Sequence, residues 1–208
     1  RLYDRWAARY DTDGNPTRDL DAVVLRRRSS LRVRNRDVLE LGAGTGKNTR
    51  WLAGEARHLV AMDFSPGMLA EARRNVRASN VEFLEHDISV AWPVADRSAD
   101  VIVGNLILEH LRDLAPVMAE CARVLRVGGQ LYLSELHPFR QILGGQAHFT
   151  DPHTRETVHV PAFKHSVSDY VGTGIAAGLS LRELDEWLEA DAAANDPPRL
   201  LTLLFERR

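Results

Sequence analysis

The sequence predicts an α/β chain, a seven-stranded, mostly parallel sheet with helices on both faces. Three observations predict it. Short apolar runs of strand length alternate with stretches of helical period, the pattern of βαβ units. The first of these strands runs straight into a loop with glycine at every second position. Acidic residues then close the second and third strands, where an open parallel sheet keeps its ligand crevice.

The strands read in order as Asp37–Leu41, His58–Met62, Val81–Glu85, Asp100–Val103 and Gln130–Glu135. Leu179–Leu181 opens a sixth, and Leu200–Phe205 forms a last one, antiparallel and inside the sheet. Between them lie the helices. Ser65-Pro66 is a cap residue followed by proline at the first helical position. Leu114, Val117, Met118, Cys121, Val124 and Leu125 recur at the 3.6-residue period of a buried helical face, which Gly128-Gly129 then turns into the fifth strand. Cys121 falls on that face and is read as core, not as a nucleophile. Ser166–Ala177 reads as a further helix. Phe149-Thr150 and Val158–Val160 are expected to pair as a hairpin across Asp151-Pro152-His153.

Composition narrows the function. The chain has 208 residues and a formal net charge of −2, so no global positive field draws it to nucleic acid or to anionic lipid. Arg26, Arg27, Arg28, Arg32, Arg34 and Arg36 lie just before the first strand, away from the expected crevice, and read as a solvated face. No apolar run nears the roughly 20 residues of a membrane span, and no secretory leader is visible. A single cysteine forbids an internal disulfide and points to a reducing cytoplasm. The expectation is one domain, residues 1–208, with an insertion at 138–170 forming an acceptor pocket or lid. The oligomeric state is not legible.

The segment from Val38 to Thr49 carries the chemistry. It reads Val-Leu-Glu-Leu-Gly-Ala-Gly-Thr-Gly-Lys-Asn-Thr. Glycines here permit a tight turn and bring bare backbone against a ligand. A P-loop is excluded, because Leu41 stands where its first glycine belongs and Asn48 replaces its hydroxyl residue. A dinucleotide fingerprint fails at Lys47, which occupies the third glycine position. The pattern acid-x-Gly-x-Gly-x-Gly is met in full by Glu40, Gly42, Gly44 and Gly46.

With Asp63 and Asp87 at the following strand ends, this loop resembles that of the class I methyltransferases dependent on S-adenosylmethionine, most closely the small-molecule group. Arg123–Gly129 is similar to that family's Arg-Val-Leu-Lys-Pro-Gly-Gly stretch, with Val127 in place of the proline. Tyr3-Asp4-Arg5-Trp6-Ala7-Ala8-Arg9-Tyr10-Asp11 resembles the opening of many members, where it covers the cofactor. The resemblance implies a Rossmann-like fold and an enzyme that binds S-adenosyl-L-methionine and transfers its methyl group to O, N or C of a small molecule. It also implies site residues. Asp63 would hold the ribose hydroxyls, since a carboxylate accepts two hydrogen bonds side by side. Asp87 would accept from the adenine amino group, with Ile88, Phe64 and Met68 against the ring. Glu40, Gly42, Ala43, Gly44, Gly46 and Asn48 of the loop, Asn105 and Leu106 after the fourth strand, and Tyr3, Trp6 and Tyr10 would complete the cofactor site. Asn105-Leu106-Ile107-Leu108 lacks the Asn/Asp-Pro-Pro-aromatic run common in enzymes that methylate nucleobase amino groups.

An acceptor hydroxyl or acidic carbon needs a base. His137, directly after the fifth strand, is the first choice, because histidine takes up a proton near neutral pH. His110 is the second. Phe139, Phe149, His165 and Tyr170 are expected to line the acceptor pocket. The histidines after the fifth strand have neither the His-x-x-x-His spacing nor a cysteine companion, so no metal is expected. Three rival readings stand beside this one: a methyltransferase acting on protein or RNA, a non-catalytic cofactor-binding subunit, and a nicotinamide oxidoreductase, the last disfavoured by Lys47.

Overall fold

The computed structural model describes residues 3–4, 7, 10, 14–146, 148–150, 156–193 and 195–208, with the backbone alone for 148–150. Seven strands form one sheet in the order β3-β2-β1-β4-β5-β9-β8. They are β1 (Asp37–Leu41), β2 (His58–Asp63), β3 (Val81–Glu85), β4 (Ala99–Asn105), β5 (Leu125–Leu136), β8 (Leu179–Trp187) and β9 (Leu200–Arg207). The pairs among β1 to β5 are parallel, whereas β9 runs antiparallel between β5 and β8. The chain leaves β1 toward β2 and β3 and then crosses back to β4, which pairs with the other edge of β1. The strand order therefore reverses beside β1, and a crevice opens there at the carboxyl ends.

Both faces of the sheet are apolar, as a sheet covered by helices on both sides requires. Leu39, Leu41, Ile102, Leu131, Leu133, Leu201, Leu203 and Phe205 pack on one side with Val117, Met118 and Cys121 of α4 (Ala115–Val124) and Tyr170 of α6 (Val167–Ala176). Val38, Val101, Val103, Tyr132 and Leu204 point to the other side. They meet Leu25 of α1 (Pro16–Arg27) and Leu52 of α2 (Lys47–Glu55) there. This alternation is the two-residue period of a strand. Cys121 is fully buried, and burial pushes its thiol pKa up, so it is core as read.

The caps behave as their residues dictate. Ser65 accepts from the Met68 N–H at 3.1 Å and opens α3 (Pro66–Asn75). Ser166 and Asp169 form a reciprocal capping box at α6. α5 (Pro138–Ile142) follows β5, and β6 (His148–Thr150) pairs with β7 (Thr157–His159) as a hairpin, Phe149 opposite Val158. The fifth strand begins five residues before Gln130. Leu125 already pairs with Ala99, and a register shift then sets five residues of β5 against two of β4.

The basic stretch is only partly a solvated face. The Arg28 side chain is 9% exposed and bonds Glu183 at 2.8 Å and Asp185 at 2.5 Å, tying the end of α1 to β8. Among the described residues no helix is long and apolar enough to cross a membrane.

Candidate functional site

The turn after β1 leaves its backbone bare. Gly42, Gly44 and Gly46 have φ of +71°, +55° and +88°, left-handed values that side chains disfavour. A Cβ on Gly46 would stand 2.9 Å from the Val76 side chain, so the start of α2 lies close against the end of α3. The turn is pinned from β2. Asp63 accepts from the Gly44 N–H at 2.8 Å through one oxygen and from the Ser65 N–H at 2.9 Å through the other.

Asp63, Phe64, Asp87 and Ile88 open onto a cavity of about 380 Å³, closed by Gly42, Ile107, Tyr3 and His110. It lies at the carboxyl ends of β1 to β4, where strand order predicts a ligand. Burial, with the charge of Asp4, raises the Asp63 pKa against the backbone N–H groups of Ser65, Gly44 and Phe64, which lower it. Its carboxylate still has acceptor capacity for a ligand bearing two adjacent hydroxyls. The donor set thus fits a ribose, and the apolar Phe64 and Ile88 with the acceptor Asp87 fit a flat base carrying an amino group.

A second cavity, of about 550 Å³, abuts the first and shares Tyr3 and His110 with it. Leu106, Glu109, Leu136, Arg140, Arg199 and Tyr10 are among its walls. The shared wall is a defined pair. The His110 ring nitrogen Nδ1 lies 2.9 Å from the Pro161 carbonyl, which can only accept, so Nδ1 carries the proton. Nε2 is then an acceptor and takes the Tyr3 hydroxyl at 2.7 Å. A Glu109 oxygen stands 3.8 Å from Nε2. Burial, followed by the charges of Tyr10, Glu109 and Asp63, holds the Tyr3 pKa well above the ordinary phenol value. Tyr3 therefore stays a neutral hydroxyl, able to donate and accept.

A family model for a methyltransferase domain matches residues 39–133. A protein of Mycolicibacterium smegmatis named as a probable S-adenosylmethionine-dependent methyltransferase is 33% identical over 168 residues, 78% of this chain and 63% of its own length. The demethylmenaquinone methyltransferase of Clavibacter sepedonicus is 30% identical over 168 residues, covering 79% of this chain and 68% of that one. The chain belongs to the class I S-adenosylmethionine-dependent methyltransferases. The solved DhpI–SAH complex is similar throughout, at 25% identity and a TM-score of 0.76, covering 99% of this chain and 93% of that one. The chain spans from about half to two thirds of the length of the first curated relatives it matches, 63% of one and 47% of the next two.

Within this methyltransferase fold the expected site residues separate into groups. Gly42, Asp63, Phe64, Asp87, Ile88 and Tyr3 come together on the first cavity, and Leu106 and Tyr10 on the second. Leu106 holds φ +54°, uncommon for a leucine, and its N–H reaches Ser134 O at 2.7 Å. Ala43, Gly44 and Gly46 form the turn itself. Met68 is packed in the core at 1% exposure and does not line the cavity. Trp6 and His153 lie outside the described residues, as do the side chains of His148 and Phe149.

Glu40 is buried and accepts from the Thr49 hydroxyl at 2.6 Å; burial lifts its pKa to about 8. Asn48 and Asn105 donate to the two oxygens of Asp21, at 3.0 and 2.6 Å. Sequence reasoning missed Asp21. It sits on α1 at 3% exposure and ties that helix to the ends of β4 and of the glycine turn. Its one signal is an acid beside the apolar run Ala22, Val23, Val24 and Leu25.

The expected base and acceptor pocket need correction. His137 is 1% exposed and caps α5. Its Nδ1 accepts from the Phe139 N–H at 3.2 Å, and its Nε2 meets Glu186 at 2.8 Å. Both nitrogens are committed, and the ring lines neither cavity. Phe139 stacks on that ring at 5.8 Å, with 58% of its surface exposed. Tyr170 is fully buried in the core, and His165 packs edge-on against it with Nε2 on Leu111 O at 2.7 Å. Of the two expected bases, His110 alone reaches the cavities. Among the described residues no cluster of His, Cys, Asp or Glu could hold a metal ion.

Proposed function

We propose that the first cavity holds S-adenosylmethionine and that the second admits a small-molecule acceptor, which loses a proton to His110 through Tyr3. The Tyr3–His110 pair in the common wall carries this reading, because it stands where donor and acceptor must meet. Asp63 would take the ribose hydroxyls, Asp87 the adenine amino group, and the glycine turn would lie along the rest.

When bound, S-adenosylmethionine supplies an electrophilic methyl on a sulfonium, whose thioether departs with the bonding pair and needs no proton. The protein's tasks are alignment, exclusion of water and removal of the acceptor's proton. The Tyr3 oxygen accepts that proton while its own passes to Nε2. Nδ1–H stays on the Pro161 carbonyl, which keeps the ring oriented, and Glu109 stabilises the imidazolium that results. The relay serves O, N or C acceptors that must shed a proton.

The size of the second cavity, within the range of small-molecule sites, favours such an acceptor over protein or RNA. The segment 138–170 contributes Arg140, His159, Val160 and Pro161 to the two cavities and acts as the acceptor wall of this domain. A lone buried Cys121 suits a reducing compartment.

The test is incubation with methyl-labelled S-adenosylmethionine and a cell extract, with products separated by mass. Label in a low-molecular-weight product, lost in Tyr3→Phe, is expected. Label confined to protein or RNA would refute the small-molecule reading. Undiminished turnover in both Tyr3→Phe and His110→Ala would refute the relay.

A further inference from the structure

The far side of the second cavity holds cations that the relay does not use. Arg140 follows β5 on α5, and Arg199 precedes β9; both line the cavity. They share a single carboxylate oxygen. Glu189 Oε2 lies 3.2 Å from an Arg140 NH group and 2.8 Å from one of Arg199. Arg140 further donates to Pro197 O at 3.1 Å, and Arg199 to Thr17 Oγ1 at 2.9 Å. The Nε–H of each arginine is buried with no hydrogen-bond partner among the described residues. One carboxylate cannot balance two guanidiniums, and a buried N–H on a charged group is costly to leave unmade. Arg18, stacked 3.9 Å over the Tyr10 ring, lines the same cavity, as does Glu109. Glu109 lies at the opposite, histidine end. The apolar wall between consists of Tyr10, Leu106 and Leu136.

We infer that the acceptor is a small molecule with an anionic head group, a carboxylate or phosphate, held by Arg140 and Arg199 with its body along the apolar wall and its nucleophilic atom at Tyr3. The inference rests on the reading that this cavity receives the acceptor. A guanidinium matches such oxyanions because its terminal NH groups donate in one plane. The same chemistry exists in the amino-acid carboxylate of S-adenosylmethionine itself, so a test must separate the two sources.

Calorimetry does so. The chain is first titrated with S-adenosylhomocysteine, then, once saturated, with 6-hydroxyhexanoate, glycerol 3-phosphate and 6-hydroxyhexanamide. We expect an anionic probe to bind and the amide to bind at least ~10-fold more weakly. Arg140→Gln and Arg199→Gln should each weaken the anionic probe ~10-fold or more and leave S-adenosylhomocysteine affinity unchanged, which also shows that the variants fold. Glu189→Gln, by releasing both arginines from a competitor, should tighten the anion. Equal binding of acid and amide overturns the inference, as does no anion binding to a chain that binds S-adenosylhomocysteine. If either arginine variant weakens S-adenosylhomocysteine instead, the cations serve the cofactor's carboxylate and the inference falls. A chain that does not bind S-adenosylhomocysteine at all would refute the reading of the first cavity.

Discussion

Replacing Glu135 by glutamine should stabilise the ligand-free chain above neutral pH and weaken it by ~1–2 kcal/mol in acid. Glu135 is fully buried at the end of β5. One of its oxygens accepts from the Leu108 N–H at 3.0 Å and the Ile107 N–H at 3.3 Å, and the other has no partner among the described residues. Burial, helped by the charge of Glu109, pushes its pKa from the ordinary 4.5 up to about 8. Between those values the folded chain holds a proton that the unfolded chain has released. Unfolding therefore sheds a proton, and stability falls as pH rises. The contribution is complete below about pH 4.5 and is gone once pH passes about 8. Each tenfold change in proton affinity is ~1.4 kcal/mol, so ~3.5 decades set a ceiling of about 5 kcal/mol. Glutamine keeps the accepting oxygen and has no charge to neutralise. Its NH₂ inherits the unpartnered position at ~1–2 kcal/mol, leaving a net gain of about 3 kcal/mol at pH 8.5. Urea unfolding of both chains at pH 5, 7 and 8.5 measures it. A difference that does not grow with pH, or a variant less stable at pH 8.5, would refute the reasoning. Glu40, lifted the same way, keeps a residual slope in the variant.

Asp63→Asn should weaken S-adenosylhomocysteine binding ~10- to 100-fold by calorimetry, since an amide offers one acceptor where the diol needs two. Tyr3→Phe should lower kcat about 10²-fold, with S-adenosylhomocysteine affinity held within about twofold, because it removes the relay and keeps the ring. Gly46→Ala should lower stability by ~1–3 kcal/mol, read as a fall in Tm, because φ of +88° and a 2.9 Å approach to Val76 both oppose a Cβ.

The frame of the molecule was legible because its signals are local. Asp37–Leu41 and Val81–Glu85 occupy the spans that their apolar runs predict, and Ser65 and Ser166 cap the helices their side chains announce. The first cavity followed from glycine spacing and from acids at strand ends, both fixed by the backbone. The second cavity was not legible. Tyr3 and His110 stand 107 residues apart, and no periodicity joins them. Arg140 and Arg199 meet through Glu189. His137 had the right address, directly after β5, but a side chain there can turn either way. Pro138 starts a helix, and the free N–H of Phe139 draws the ring into a cap. His165 and Tyr170 turn inward instead of toward a pocket, and neither a histidine satisfied by a carbonyl nor a tyrosine packed in the core leaves a mark in sequence.

A wall between two cavities has a kinetic meaning. On the proposed assignment donor and acceptor would sit in neighbouring chambers, so neither would block the other's entry, and spent cofactor could leave while the methylated product is still seated. S-adenosylhomocysteine should then inhibit without being displaced by excess acceptor. Enlarging the acceptor chamber to admit bulkier molecules need not disturb the nucleoside chamber, so long as the tyrosine and histidine dividing them are left in place.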